Sequence, residues 1–336
     1  MLRKSLLTLL ISALAMPAMQ AVAAEELVVY SARKEHLIKP LFDAYTEKTG
    51  VEIKYTTAKA GALFEKLKAE GSNSPADLFI TVDAGNLWQA ADAGLLQQVD
   101  SEVLEKNIPE NLQDPENRWF GLSVRARTIV YNTETTSPDQ LSSYKDLADP
   151  KWKNQLILRT SKKVYNQSLV ASLIAQYGAE EAEKIVTGWV NNLSVAPFSN
   201  DTKSMEAVAA GLGQATVVNT YYFGRLMKKK PDLPLALFWP GQDSDSTGVH
   251  MNISGAGVTT HAGNAEEAVA LLEWLSGAEA QAVFASLNME YPANPAVAPD
   301  ALVASWGEFK GNPMNVAVYG KLQGDAIKLM DRAGYK

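Results

Sequence analysis

The chain has 336 residues, a formal net charge of −7 and no cysteine, which removes disulfides, thiolate metal sites and thiol nucleophiles together. An acidic balance argues against nucleic acid or an anionic membrane as partner. A chain of this length exceeds what one hydrophobic core usually serves, so two domains are expected.

The N-terminal run MLRKSLLTLLISALAMPAMQAVAA has a basic start at Arg3 and Lys4, an apolar stretch from Leu6 to Met16 and a small-residue exit at Val22 to Ala24. That layout predicts a secretory signal peptide over residues 1–24, cut after Ala23 or Ala24. No later segment reaches the roughly 18 apolar residues that span a bilayer, so an exported, soluble chain is expected. LVVY at 27–30 reads as a short apolar strand, and 37–49 as an amphipathic helix ended by Gly50 in the left-handed conformation. VEIKYTT alternates like a strand, AGALFEKLKAEG reads as a helix closing at Gly71, DLFITV as another strand and 86–93 as a helix before Gly94. This β-α-β-α-β order predicts a parallel sheet with helices on both faces.

VRARTIVYN is a longer strand, and helices are expected at 167–177, 179–191 and 205–210. Thr216, Val217 and Val218 form a buried strand, after which Asn219 or Thr220 caps a helix running from Tyr221 towards Lys230. HMNISGAGVTT returns as a strand, and three helices close the chain. The order predicts an α/β fold of two lobes joined by crossing strands: 25–124 with about 250–303, and 125–249 with about 304–336. Hinges are expected at Val124–Thr128 and Ile253–Gly257.

In such sheets ligands bind beyond the carboxyl ends of the parallel strands, which selects the segments 31–36, 83–85, 161–165 and 219–222. Tyr165 lies in the third, Tyr221 and Tyr222 in the fourth. Neighbours within a strand point to opposite faces, but two residues in a first helical turn are about 100° apart and can share a ligand. Taken alone, such a pair is more often ordinary packing. The three histidines, His36, His250 and His261, are far apart in sequence, and no HExxH, nucleophile elbow, P-loop or G-x-G-x-x-G occurs. Ser31-Ala32-Arg33-Lys34 and Lys48-Thr49-Gly50 match S-x-x-K and K-T-G of penicillin-interacting serine enzymes, but both fall in one strand–helix unit and no S-D-N follows.

A phenol, with a pKa of about 10, ligates only a cation strong enough to expel its proton. Ferric iron is hard and triply charged, and three phenolates neutralise it without thiol or imidazole. Calcium or magnesium would call for carboxylates and carbonyls, which these loops do not supply in number.

The segments LVVYSARKEH, FDAYTEKTGVEI, EGSNSPADLFITVD, GLSVRARTIVYN, VVNTYYFGRL, FWPGQDSDSTGVHMNISGAGV and DRAGYK, taken in order, make the sequence resemble the bacterial periplasmic ferric-iron-binding proteins. These are the solute receptors of iron(III) ABC importers, and the resemblance covers essentially the whole mature length. It implies a two-lobed type II periplasmic binding protein fold, no enzymatic activity, a monomer, and delivery of iron to an inner-membrane permease. It also implies iron ligation by the tyrosine pair of the NxYY motif and one upstream tyrosine, here Tyr221, Tyr222 and Tyr165. Many members carry a histidine, or His-Tyr, where this chain has Lys34 and Glu35. Members lacking it complete the shell with a synergistic anion such as carbonate, for which Arg33 and Arg125 are the expected holders. Glu35 and Asp83 are candidates for a carboxylate supplied on closure, and Asn219 for backing the ligands. Two alternatives are a receptor of the same fold for thiamine, a polyamine or an organic anion, and an exported serine hydrolase.

Overall fold

The structure, a computed structural model, describes residues 26–336, so the expected signal peptide lies outside the described residues. β1 (Glu26–Ser31) buries Leu27 and Val29 and pairs in parallel with β2 (Glu52–Thr57) on one side and β3 (Leu78–Val82) on the other. The crossovers are α1 (Glu35–Thr49) and α2 (Ala60–Glu70). Gly50 ends α1 at φ 81°, a conformation that glycine adopts without the steric penalty of a Cβ. After α3 (Ala84–Asp92) and α4 (Glu102–Asn107) comes β4 (Phe120–Asn132), buried along all 13 residues.

The chain continues through β5 (Leu156–Ile157), α5 (Val164–Tyr177), α6 (Ala179–Asn191), α7 (Asp201–Ala209), β6 (Ala215–Asn219), α8 (Thr220–Lys229), β7 (Leu235–Phe238) and β8 (Met251–Val258). It closes with α9 (Ala265–Ser276), α10 (Ala278–Asn288), β9 (Tyr291–Pro292), α11 (Ala301–Ala304), α12 (Ala317–Lys321) and α13 (Gln323–Arg332). The strand order is β2-β1-β3-β8-β4-β6-β5, with β7 and β9 as further partners of β4.

β4 belongs to two sheets. Phe120 to Ala126 pair antiparallel with β8, whereas Arg127 to Tyr131 pair with β6 and Ile129 to Asn132 with β7. The βαβ units are parallel, as their crossover helices require, but β4 and β8 run against them, so the sheet is mixed rather than mainly parallel. The β8 expectation also changes. That strand keeps to β3 and the first half of β4 throughout, and a Cβ on Gly255 or Gly257 would lie 2.4 Å from the carbonyl oxygen of Phe120 or Arg118. These glycines serve close packing, and the chain passes between sheets in 239–250, before β8 begins.

One apolar cluster, with Leu27, Ile38, Phe42, Leu271 and Phe284, packs α1, α9 and α10 on the first sheet. A second, with Val130, Met205, Val218 and Leu226, seats α7 and α8 on the other. A third, continuous through Phe79, Leu87, Trp119, Ile129, Leu169, Tyr319 and Met330, runs beneath both sheets. There α12 packs on α3 and α5, and α13 on α5, so the C-terminal helices join the two halves.

Candidate metal centre

α5 starts at Val164, three residues earlier than its sequence signal, because Lys163 at its N-cap makes no side-chain cap bond that would mark the start. Tyr165 therefore sits in the first helical turn and not in the preceding loop. Tyr221 and Tyr222 occupy the first turn of α8, directly after β6. All three line a cleft of about 690 Å³ together with Arg33 and Arg125. The rings of Tyr221 and Tyr222 lie 4.4 Å apart at 33°, and the Tyr221 and Tyr165 phenols lie close enough to shift one another's titration.

Burial pushes the Tyr221 phenol well above its ordinary value, Tyr165 and Tyr222 push the same way, and Arg125 opposes them. Burial also raises Tyr165, again against Arg125. Both are therefore protonated at neutral pH, and a ligand that uses them as anions must expel protons. The guanidinium of Arg125 lies 5.8 Å from the Tyr221 ring, Arg225 5.1 Å from the same ring, and Arg159 5.4 Å and 5.9 Å from those of Tyr165 and Tyr222. Positive charge thus surrounds the phenols, and that of Arg125 works against burial at Tyr165 and Tyr221.

A buried polar network holds this wall. Asn219 donates to the Tyr221 hydroxyl at 3.4 Å and accepts from Arg127 at 3.1 Å. Arg127 also reaches Asn166 and the Val217 carbonyl, and Asn166 donates to the hydroxyl of Tyr335. Asp201 pairs with Arg159 at 3.1 Å and Arg127 at 3.5 Å and accepts from the Asn219 amide.

Arg33 and Arg125 are not free. Both pair with buried Glu290, at 3.1 and 3.3 Å, and both donate to Ser254. Burial raises the Glu290 carboxyl, but Arg33, Arg125 and Ser123 outweigh it and hold it below the usual range. Nε and Nη2 of Arg33 and Nε of Arg125 nevertheless have no partner.

The carboxylates expected on closure lie elsewhere. Asp83 is fully buried, with Oδ1 accepting from Gly85 and Ser168 and Oδ2 from Asn252. Its lone pairs cap α3 and tie that helix to α5. Glu35 is exposed in the first turn of α1 and bonded to Tyr55. Neither lines the cleft, and neither does any histidine. His250 is buried against Tyr319, its pKa lowered to about 3 by burial and by Arg127. Among the described residues no three of His, Asp or Glu gather as a metal-binding group. Ser31 accepts from the Arg33 amide and lies buried at the end of β1, so the S-x-x-K match has no nucleophile site around it.

Sequence reasoning missed Glu290, Arg159, Lys163 and Arg225. Arg225 was detectable, being three residues beyond Tyr222 on the same helix. So was Arg159, just past the carboxyl end of β5, where the sheet rule points. Glu290 carries no local signal, since it reaches the arginines only through the turn after α10.

The chain belongs to the bacterial extracellular solute-binding protein family, whose model matches residues 73–307. Its fold is the two-lobed type II periplasmic binding protein fold. Iron uptake protein A1 of Synechocystis is 42% identical over 93% of this chain and 88% of its own length. A Trichodesmium protein solved in complex with iron and citrate superposes with a TM-score of 0.89 at 45% identity, covering 93% of this chain and all of that one. The major ferric iron-binding protein of Neisseria meningitidis is 25% identical over 94% of both chains.

Proposed function

We propose that this protein is a periplasmic receptor that binds ferric iron through the phenolates of Tyr165, Tyr221 and Tyr222 and delivers it to an ABC-type permease in the inner membrane. The carrying observation is the convergence of three phenols from α5 and α8 in a cleft ringed by arginines, where no other set of metal donors gathers among the described residues. The relatives named for iron uptake and ferric iron binding support it, and the family of extracellular solute-binding proteins works with such permeases. The unused donors of Arg33 and Arg125 would hold a synergistic anion, such as carbonate, on the metal. The two lobes of this reading are 25–124 with about 250–303 and 125–249 with about 304–336, a division supported by the change of β4 partners between Ala126 and Arg127. One lobe would swing on β4 and on 239–250 to bury the metal.

The test is optical. Mature protein mixed with ferric citrate should develop a visible phenolate-to-iron charge-transfer band, and Tyr221→Phe with Tyr222→Phe should abolish it and weaken binding by about 100-fold or more. A wild type without the band, or a double variant that keeps it, would show that iron does not sit on these phenols. Retention of an organic solute in place of iron would favour the receptor reading for another ligand.

A further inference from the structure

The polar side chains behind the phenols form one bonded series, and one member of it comes from far along the sequence. Asn219, which donates to the Tyr221 hydroxyl, accepts from Arg127, and Arg127 donates to Oδ1 of Asn166 at 2.7 Å. Asn166 directly follows Tyr165 in the first turn of α5, and its amide group donates to the hydroxyl of Tyr335 at 2.8 Å, across 169 residues of sequence.

The turn that ends α13 puts Tyr335 there. Gly334 adopts φ 73°, open to glycine because it has no Cβ, and the amides of Gly334 and Tyr335 return to the carbonyls of Asp331 and Met330. This pair of bonds closes a helix and reverses the chain. Tyr335 is left 4% exposed. α13 packs on α5, and its other end reaches the same turn, where Gln323 donates to Gln167 at 2.7 Å. The two ends of α13 thus meet neighbouring residues just behind Tyr165.

No side-chain cap at Lys163 fixes where α5 begins. Asn166 does so by reaching back, its Nδ2 donating to the carbonyls of Arg159 and Thr160 at 2.9 and 3.1 Å. The Tyr335 hydroxyl donates to the same Arg159 carbonyl at 2.5 Å, so a single hydroxyl is acceptor to Asn166 and donor to Arg159. The guanidinium of Arg159 in turn lies 5.4 Å from the Tyr165 ring and 5.9 Å from that of Tyr222. Tyr335 does not line the cleft, and its hydroxyl is engaged both as donor and as acceptor, which leaves it no part as a ligand.

Building on the ferric reading above, we propose that Tyr335 is a positioning residue of the metal centre, whose hydroxyl orients the Tyr165 and Tyr222 phenols through Asn166 and Arg159. Its ring fills space that phenylalanine would fill equally; only the hydroxyl supplies the two bonds. Without that oxygen the Asn166 amide keeps two of its three acceptors and the Arg159 carbonyl keeps the Asn166 donor, so the fold persists while the start of α5 is held less firmly. Metal affinity responds to such a change, because groups one bond behind the ligands set where the donor atoms lie.

The experiment compares Tyr335→Phe with Tyr45→Phe, which removes a hydroxyl of similar burial that donates to Glu267 on α9, away from the cleft. Both variants should lose some resistance to urea. With ferric citrate as the iron source, Tyr335→Phe alone should move the maximum of the phenolate-to-iron band and weaken iron binding by about tenfold or more, whereas Tyr45→Phe keeps the wild-type band and affinity. Should Tyr335→Phe fail to fold, Gly334→Ala takes its place: it strains an exposed turn, keeps the hydroxyl and must move the band by misaiming it. A folded variant of either kind with the wild-type band and affinity overturns the proposal while the ferric reading stands, and so does a band that moves as far in Tyr45→Phe. No band in wild type overturns the ferric reading and the proposal together.

Discussion

Tyr165 and Tyr221, at 7% and 5% exposure, rest on side chains that are themselves bonded to one another, whereas Lys34 and Lys59, lining the same cleft, are exposed and unpaired. One wall is fixed before anything binds, whereas on the other Arg33 is locked to Glu290 and Ser254 but the two lysines are held by nothing but their backbone. A metal ion tolerates little error in the position of its donors, a demand that phenols on helix starts locked by Arg127, Asn219 and Asp201 would meet.

Acidification should break the fixed wall most. Because burial keeps Tyr165 and Tyr221 protonated, iron held by them as phenolates would displace protons, and lower pH would favour the iron-free form. With these two phenols involved, affinity corrected for the chelator's own titration should fall by about a hundredfold per pH unit, tenfold per proton. Competition titrations between pH 8 and about pH 5 give the slope. A slope near zero would mean that the phenols do not bind as anions.

Asp201→Ala comes next. It strands Arg127 and Arg159, both buried, without their carboxylate, a change that costs about 3–5 kcal/mol. The matching change on the other wall, Lys34→Ala, should stay within about 0.5 kcal/mol. Urea unfolding of the two variants side by side measures the contrast, and equal losses would erase the distinction between the walls.

The strands, the helix-ending Gly50 and the tyrosine pair were legible because each rests on a local pattern: an apolar run, a cap, a strand-to-helix junction. The sheet-edge rule also selected the segments that hold Tyr165 and Arg33, both of which line the cleft, without any contact information. What escaped depends on distant partners. Asp83 looks like a free loop carboxylate until Ser168 and Asn252 saturate it. Arg33 and Arg125 look like an open anion clamp until Glu290, arriving from the far end of the chain, joins them.

The smallest effect tests how the walls are joined. Gly224 is buried one turn past the tyrosine pair, and a Cβ there would lie 2.8 Å from the Met289 sulfur and 2.9 Å from the Trp306 ring. Met289 ends α10 at φ 55°, and the next residue is the Glu290 that grips Arg33 and Arg125. The phenol helix therefore leans on the turn that holds the arginines. Gly224→Ala should overpack this contact and destabilise by about 1–3 kcal/mol. Met289→Ala vacates the space, so the double variant should lose less than the sum of the two single losses, by about 0.5 kcal/mol or more. A double-mutant cycle in urea measures this coupling; strictly additive losses would show that α8 does not rest on the turn, and that the phenol wall and the arginines are positioned independently.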